Sequence, residues 1–157
     1  MPYRTFQRSL DAAPLRIGVI VSRFNEFITE QLARGALDVL EKHGCLHENI
    51  SFVKVPGAWE LPIAAKVLAQ QCDAIVAVGA VVRGETPHFE YVARGAADGL
   101  QQVSLETGVP IAFGVLTTDD MQQAMDRAGG KSGNKGSEAA EVAIEVANLV
   151  RQLKERR

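Results

Sequence analysis

Four short apolar runs rich in β-branched residues, each followed by a stretch of helical period, constrain this chain more than any other feature. Leu15 to Val21 reads L-R-I-G-V-I-V, Ile50 to Val55 alternates, Ala74 to Val82 is apolar almost throughout, and Ile111 to Leu116 is a fourth run. Runs of this length and composition predict strands, and the unbroken apolarity of Ala74 to Val82 predicts a strand covered on both faces. Between them the period changes. Ile28, Leu32, Ala36, Val39 and Leu40 recur at helical spacing, and Gly44 suits a C-terminal cap. Leu61 to Gln70 is Ala-rich and helical, with Pro62 tolerable in a first turn. Helices are also predicted from about Pro87 to Glu106, from Asp119 to Ala128, and in the last segment, which is expected to bury Ala139, Val142, Ala143, Val146, Val150 and Leu153. Strand–helix alternation gives a parallel sheet with helices on both faces, joined by right-handed crossovers. The predicted class is therefore α/β: a three-layer α/β/α sandwich with a four-stranded parallel sheet.

The 157 residues suffice for one domain with its own core. Positions 15–157 are expected to form it. Positions 1–14 stand outside the alternation as an N-terminal tail, either frayed or packed on a neighbouring subunit through Tyr3, Phe6 and Leu10. A net charge of −2 argues against nucleic-acid and anionic-membrane partners. No apolar run approaches the ~20 residues of a membrane helix. Met1 to Pro14 has no apolar signal-like region. Cys45 and Cys72 lie far apart, outside any C-x-x-C spacing, and read as two reduced thiols of a cytoplasmic protein.

In such sheets ligands bind at the carboxyl ends of the strands, so the loops there hold the chemistry. After the first strand, Phe24 in S-R-F-N either stacks on a flat ligand or staples the next helix. After the second, V-P-G-A-W-E-L-P offers Gly57 for a sharp turn and Glu60 near a helix start, where a carboxylate meets the positive dipole end or accepts hydroxyls of a polyol. After the third, V-V-R-G-E-T-P-H-F-E-Y-V is the most informative. Thr86 suits an N-cap and Pro87 the first helical position, and the free N–H groups of that turn form an anion site. His88 stands on the same turn and titrates near neutrality, so it can move protons. The spacing Glu85-x-x-His88 resembles a metal motif, but it occurs once and without partner ligands, so no metal is expected. Farther on, Arg127, Lys131 and Lys135 cluster among glycines, which reads equally as a phosphate loop or a solvated loop; it is not a Walker A sequence.

Taken together the loops resemble the lumazine synthase family. The matching segments are S-R-F-N at 22–25, V-P-G-A-W-E-L-P at 55–62, G-A-V-V-R-G-E-T-P-H-F-E-Y-V at 79–92, F-G-V-L-T-T at 113–118 and R-A-G-G-K-S-G-N-K-G at 127–136. The resemblance runs from Leu15 to about Leu153 and implies a flavodoxin-like sandwich. It implies a transferase that condenses 5-amino-6-ribitylaminouracil with 3,4-dihydroxy-2-butanone 4-phosphate to 6,7-dimethyl-8-ribityllumazine, phosphate and water, the penultimate step of riboflavin biosynthesis, with no cofactor. It implies that Phe24 stacks on the pyrimidine, that Ala58, Trp59 and Glu60 hold the ribityl chain and ring edge, and that Ala80, Val81 and Val82 contact the ring. Glu85 and Thr86 would bind the sugar phosphate through backbone N–H groups, Arg127 would pair with the phosphate, and His88 would transfer protons. Phe113 and Lys135 would come from an adjacent subunit. The implied assembly is a homo-pentamer, with a sixty-subunit icosahedral shell allowed and a riboflavin synthase as a further candidate partner. Position 85 departs from the small residue common in the family. Competing readings are a non-catalytic flavin- or lumazine-binding or shell protein on the same fold, a small riboflavin synthase, and a flavodoxin-like electron carrier.

Overall fold

The computed structural model describes residues 2–155, so Met1 of the expected tail and positions 156 and 157 of the expected domain lie outside it. Four parallel strands form the main sheet: β1 (Ile17–Ser22), β2 (Ile50–Val55), β3 (Ala74–Val82) and β4 (Ile111–Thr118), in the order β2-β1-β3-β4. The helices are α1 (Glu26–Lys42), α2 (Leu61–Leu68), α3 (His88–Thr107), α4 (Met121–Asp126) and α5 (Lys135–Lys154). The three-layer, flavodoxin-like α/β class expected from the alternation is the observed one.

The strand order dictates which face each helix covers. The chain steps outward from β1 to β2, then back past β1 to β3 and on to β4. Right-handed crossovers taken in opposite directions put their helices on opposite faces. Accordingly α1 and α5 share one core with Val19, Val21, Val76, Val78 and Leu116, while α2 and α3 share the other with Ile20, Ile75, Ala77 and Val115. The neighbours β1 and β3 are where the winding reverses, and their carboxyl ends diverge to leave a crevice.

Several elements differ from the sequence expectation. Pro87 occupies the N-cap of α3, and Thr86 precedes it with Oγ1 3.4 Å from the His88 N–H it accepts from. Helix α2 stops at Leu68 and tightens into a 3₁₀ turn over Ala69–Gln71. Helix α4 is shorter than expected because Asp120 caps it, its side chain accepting from Gln123 N at 2.8 Å. The glycine-rich stretch is not a plain loop. It holds a small antiparallel hairpin, β5 (Ala128–Gly130) and β6 (Gly133–Asn134), and α5 begins at Lys135.

The buried face of α5 is also rotated from the expected one. Gly136, Ala139, Ala140, Ala143, Ile144 and Ala147 are buried, whereas Val142 and Leu153 are exposed. The reason is close packing against α1: a Cβ on Gly136 would run into the Leu32 carbonyl. A stripe of small residues lets the helix axes approach, and the larger aliphatics are left outside.

The second half of the tail is fastened to α5 of its own chain. Gln152 Nε2 donates to Gln7 O at 2.8 Å, Asn148 Nδ2 donates to Ser9 O and Asp11 O, and Arg8 pairs with Glu145 at 2.6 Å. Leu10 packs against the α1/α5 core, while Tyr3 and Phe6 remain exposed.

Candidate functional site

The crevice at the β1/β3 ends is a cavity of about 770 Å³. That is the size of a small-molecule site. Three loops and one helix start build it. The turn after β1 contributes Phe24. The turn after β2 contributes Gly57, Ala58, Trp59 and Glu60. The end of β3 and the first turns of α3 contribute Ala80, Val81, Val82, Thr86, His88 and Phe89.

Each side chain is placed by local chemistry. Asn25 adopts the left-handed conformation, φ 63° and ψ 47°, and its Nδ2 donates to Ala80 O at 3.0 Å. Asparagine tolerates this region better than most residues. The tie joins the β1 turn to the end of β3, which brings Phe24 to the cavity with 73% of its surface open. Phe24 therefore presents an open ring to the cavity. Trp59 lies across α3, so close to Gly95 that any side chain there would strike its ring. Its indole is 61% exposed and forms part of the wall. The Glu60 carboxylate accepts from Gly57 N at 2.9 Å and so holds the turn in shape. One of its oxygens is thereby engaged, leaving the other able to accept from a ligand.

The walls are largely apolar, with Glu60, His88 and Tyr91 as the ionisable residues of the lining. Flat rings above, an apolar floor and a few convergent polar groups suit a planar heterocycle with a polar chain. His88 stands at the α3 start beside Thr86, where N–H groups at a helix start favour an anion.

Not every expected residue is here. Glu85 is exposed and absent from the lining. Phe113 lies on β4, an edge strand, and is 39% exposed. Arg127, at the end of α4, and Lys135, the first residue of α5, flank the hairpin, and Lys135 N donates to Arg127 O at 2.9 Å. Arg127 Nη1 donates to Gln123 O at 3.0 Å, and Lys131 pairs with Asp126 at 3.8 Å. None of these residues lines the cavity of its own chain. Sequence reasoning missed Asn25, whose asparagine-in-a-turn signal was available. It also missed Arg83, whose three partners are remote or on the next helix.

The family model for 6,7-dimethyl-8-ribityllumazine synthase matches residues 14–151. The chain belongs to the lumazine synthase family. Two relatives named 6,7-dimethyl-8-ribityllumazine synthase, from Nitratidesulfovibrio vulgaris strains DP4 and Hildenborough, are each 49% identical over 152 residues, spanning 96% of this chain and 97% of theirs. The match takes in every segment that forms the cavity and also the hairpin that lies outside it.

Proposed function

We propose that this protein makes 6,7-dimethyl-8-ribityllumazine from 5-amino-6-ribitylaminouracil and 3,4-dihydroxy-2-butanone 4-phosphate, in the cytoplasm, for riboflavin biosynthesis. The carrying observation is that Phe24, Ala58–Glu60, Ala80–Val82, Thr86 and His88 converge on one cavity in a chain of this family. A non-catalytic ring binder has no need of a proton-transfer histidine beside an anion site.

In this reading the pyrimidine stacks on Phe24 and its ring edge meets the backbone at the end of β3. The ribityl hydroxyls lie along Ala58–Glu60, and the sugar phosphate sits at the α3 start. The pyrimidine's 5-amine adds to the ketone, and loss of water gives an imine. Elimination then breaks the C–O bond to phosphate, with a carbon-bound proton removed and the phosphate leaving with the bonding electrons. The enol left by that elimination tautomerises to a ketone bearing a new methyl group, the ribityl-bearing nitrogen closes on this new carbonyl, and a second water leaves. His88 takes and returns protons through these steps. Holding both reactants in one cavity supplies much of the acceleration.

The phosphate clamp completes the argument for assembly. Arg127 and Lys135 stand together at the base of the hairpin, and neither lines the β1/β3 cavity of its own chain. We assign them, with Phe113, to the cavity of a neighbour in a homo-pentamer. The exposed Tyr3–Phe6 stretch is assigned to a neighbour's open sheet edge, since β2 and β4 are unpaired on their outer sides. Closure of pentamers into a shell and association with a riboflavin synthase are compatible extensions.

The test is an absorbance assay with both substrates and no added cofactor. Lumazine formation is expected. Its absence, or consumption of lumazine to riboflavin instead, would overturn the proposal.

A further inference from the structure

Between the β3 end and His88 the chain runs through Gly84, Glu85, Thr86 and Pro87, and little within that loop holds it. Gly84 has open space on its side-chain face. Helix α3 has no side-chain N-cap bond, and Pro87 at the cap brings no N–H. Inside the loop the contact is the long one from His88 N to Thr86 Oγ1, and the loop's last residue, Pro87, accepts from Glu90 N at 2.9 Å. A loop of this kind does not by itself fix a proton-transfer group.

Arg83, the residue just before it, has three attachments in different directions. Its backbone N–H donates to Thr118 O at 2.9 Å, which pins the start of the loop to the end of β4. Its Nε donates to Asp119 Oδ1 at 3.1 Å. Its guanidinium lies 4.6 Å from the centre of the Phe89 ring and 3.8 Å from Glu90 Oε1, so it grips the residues that directly follow His88. Phe89 is itself part of the cavity wall. One planar cation thus bridges the β4 end to the first turn of α3, across the mouth of the loop. Arginine suits this because it stacks and forks at once; lysine does neither.

We infer that Arg83 is a positioning residue for the sugar-phosphate half of the site, acting as a strap that sets the His88 turn against the end of β4. The inference rests on the function proposed above. Arg83 is not among the cavity-lining residues, so it acts through Phe89, Glu90 and Asp119 without touching the reactants. The carboxylates offset its charge, so it adds little as a free cation for the phosphate. These are half-exposed pairs and contribute little to global stability. Their effect is local, on a turn that few other contacts restrain.

The experiment compares the full-length wild type with Arg83→Ala, Arg83→Lys and Asp119→Asn, by steady-state kinetics and by backbone hydrogen exchange without substrates. For Arg83→Ala the KM for the sugar phosphate is expected to rise and kcat to fall, with a combined loss of about ten- to a hundredfold in kcat/KM, as for a small misplacement of a reacting group. The KM for the pyrimidine should stay within about twofold. Exchange at the Arg83 and Glu90 amides should quicken by about tenfold, with α5 unchanged. Arg83→Lys and Asp119→Asn should fall between. Equal losses for both substrates, or unchanged exchange at Glu90, would overturn the strap. If Arg83→Ala does not fold, the two milder variants are judged by the same criteria. If the wild type makes no lumazine, the proposed function falls, and the exchange data alone decide whether Arg83 holds the turn.

Discussion

The cavity at the β1/β3 ends and the hairpin region of Arg127 and Lys135 both lie within the family match, yet they differ physically. In the cavity, side chains from three loops converge, large rings stand open, and polar groups are held by local bonds such as Asn25 to Ala80 and Glu60 to Gly57. In the hairpin region, two cations stand on a unit packed on α4, α1 and α5, and neither lines the β1/β3 cavity of its own chain. Under the proposed function, convergence in one region and two outlying cations in the other are what a site divided between chains would give. A heterologous, head-to-tail contact brings one region of each chain to the other region of the next, and such contacts close into rings.

The sharpest way to separate the two regions is to remove chemistry from one and leave the other. His88→Ala should lower turnover by about a hundred- to ten-thousandfold with pyrimidine affinity intact, because acid–base transfer is lost while binding surfaces stay. Single-turnover kinetics check this, and unchanged turnover would remove His88 from the mechanism. Arg127→Ala should raise the KM for the sugar phosphate about ten- to a hundredfold, since a charge-assisted contact contributes roughly 1.5–3 kcal/mol. Pyrimidine binding, measured by calorimetry, should hardly move; equal losses for both would erase the distinction between the regions. Phe24→Ala should weaken pyrimidine binding by roughly 1–3 kcal/mol, as for a base stacked on an aromatic ring. If binding holds and the melting temperature falls instead, Phe24 belongs to the scaffold.

The smallest expected effect concerns a group outside both regions. Burial pushes the Cys72 thiol up to about 11, the nearby Arg16 opposing this only in part. A raised thiol pKa favours the neutral form in the folded state. The resulting stability is therefore present below the unfolded value, roughly 8.5, and is lost as pH rises towards about 11. Denaturant titrations at pH 8 and pH 10 should show that decline, and Cys72→Ala should reduce it. A slope unaffected by the substitution would assign it elsewhere.

The difference between the regions also explains what the sequence made legible. The sheet could be read because its central strands are buried on both faces, so Ala74–Val82 had to be apolar throughout. The cavity could be read because each loop follows a strand end, where parallel sheets place ligands. The hairpin could not, since five residues of strand among glycines carry no period. The buried face of α5 was misread because its packing selects the smallest residues, whereas pattern reading weights the largest. Arg83 and Asn25 escaped notice because their partners, Asp119 and Ala80, come from other parts of the chain.

The divided site is tested most directly by mixing two impaired proteins. His88→Ala chains keep Arg127 and Lys135, and Arg127→Ala chains keep His88. After denaturation together in equal amounts and refolding, random assembly around a ring leaves about a quarter of the sites with both groups, one from each chain. With the sugar phosphate well below the KM of the Arg127→Ala chains, turnover should then recover to roughly that fraction of the wild-type rate. Activity no greater than the sum of the two variants refolded separately, in a mixture shown by mass spectrometry to contain both chains in one ring, would contradict the account.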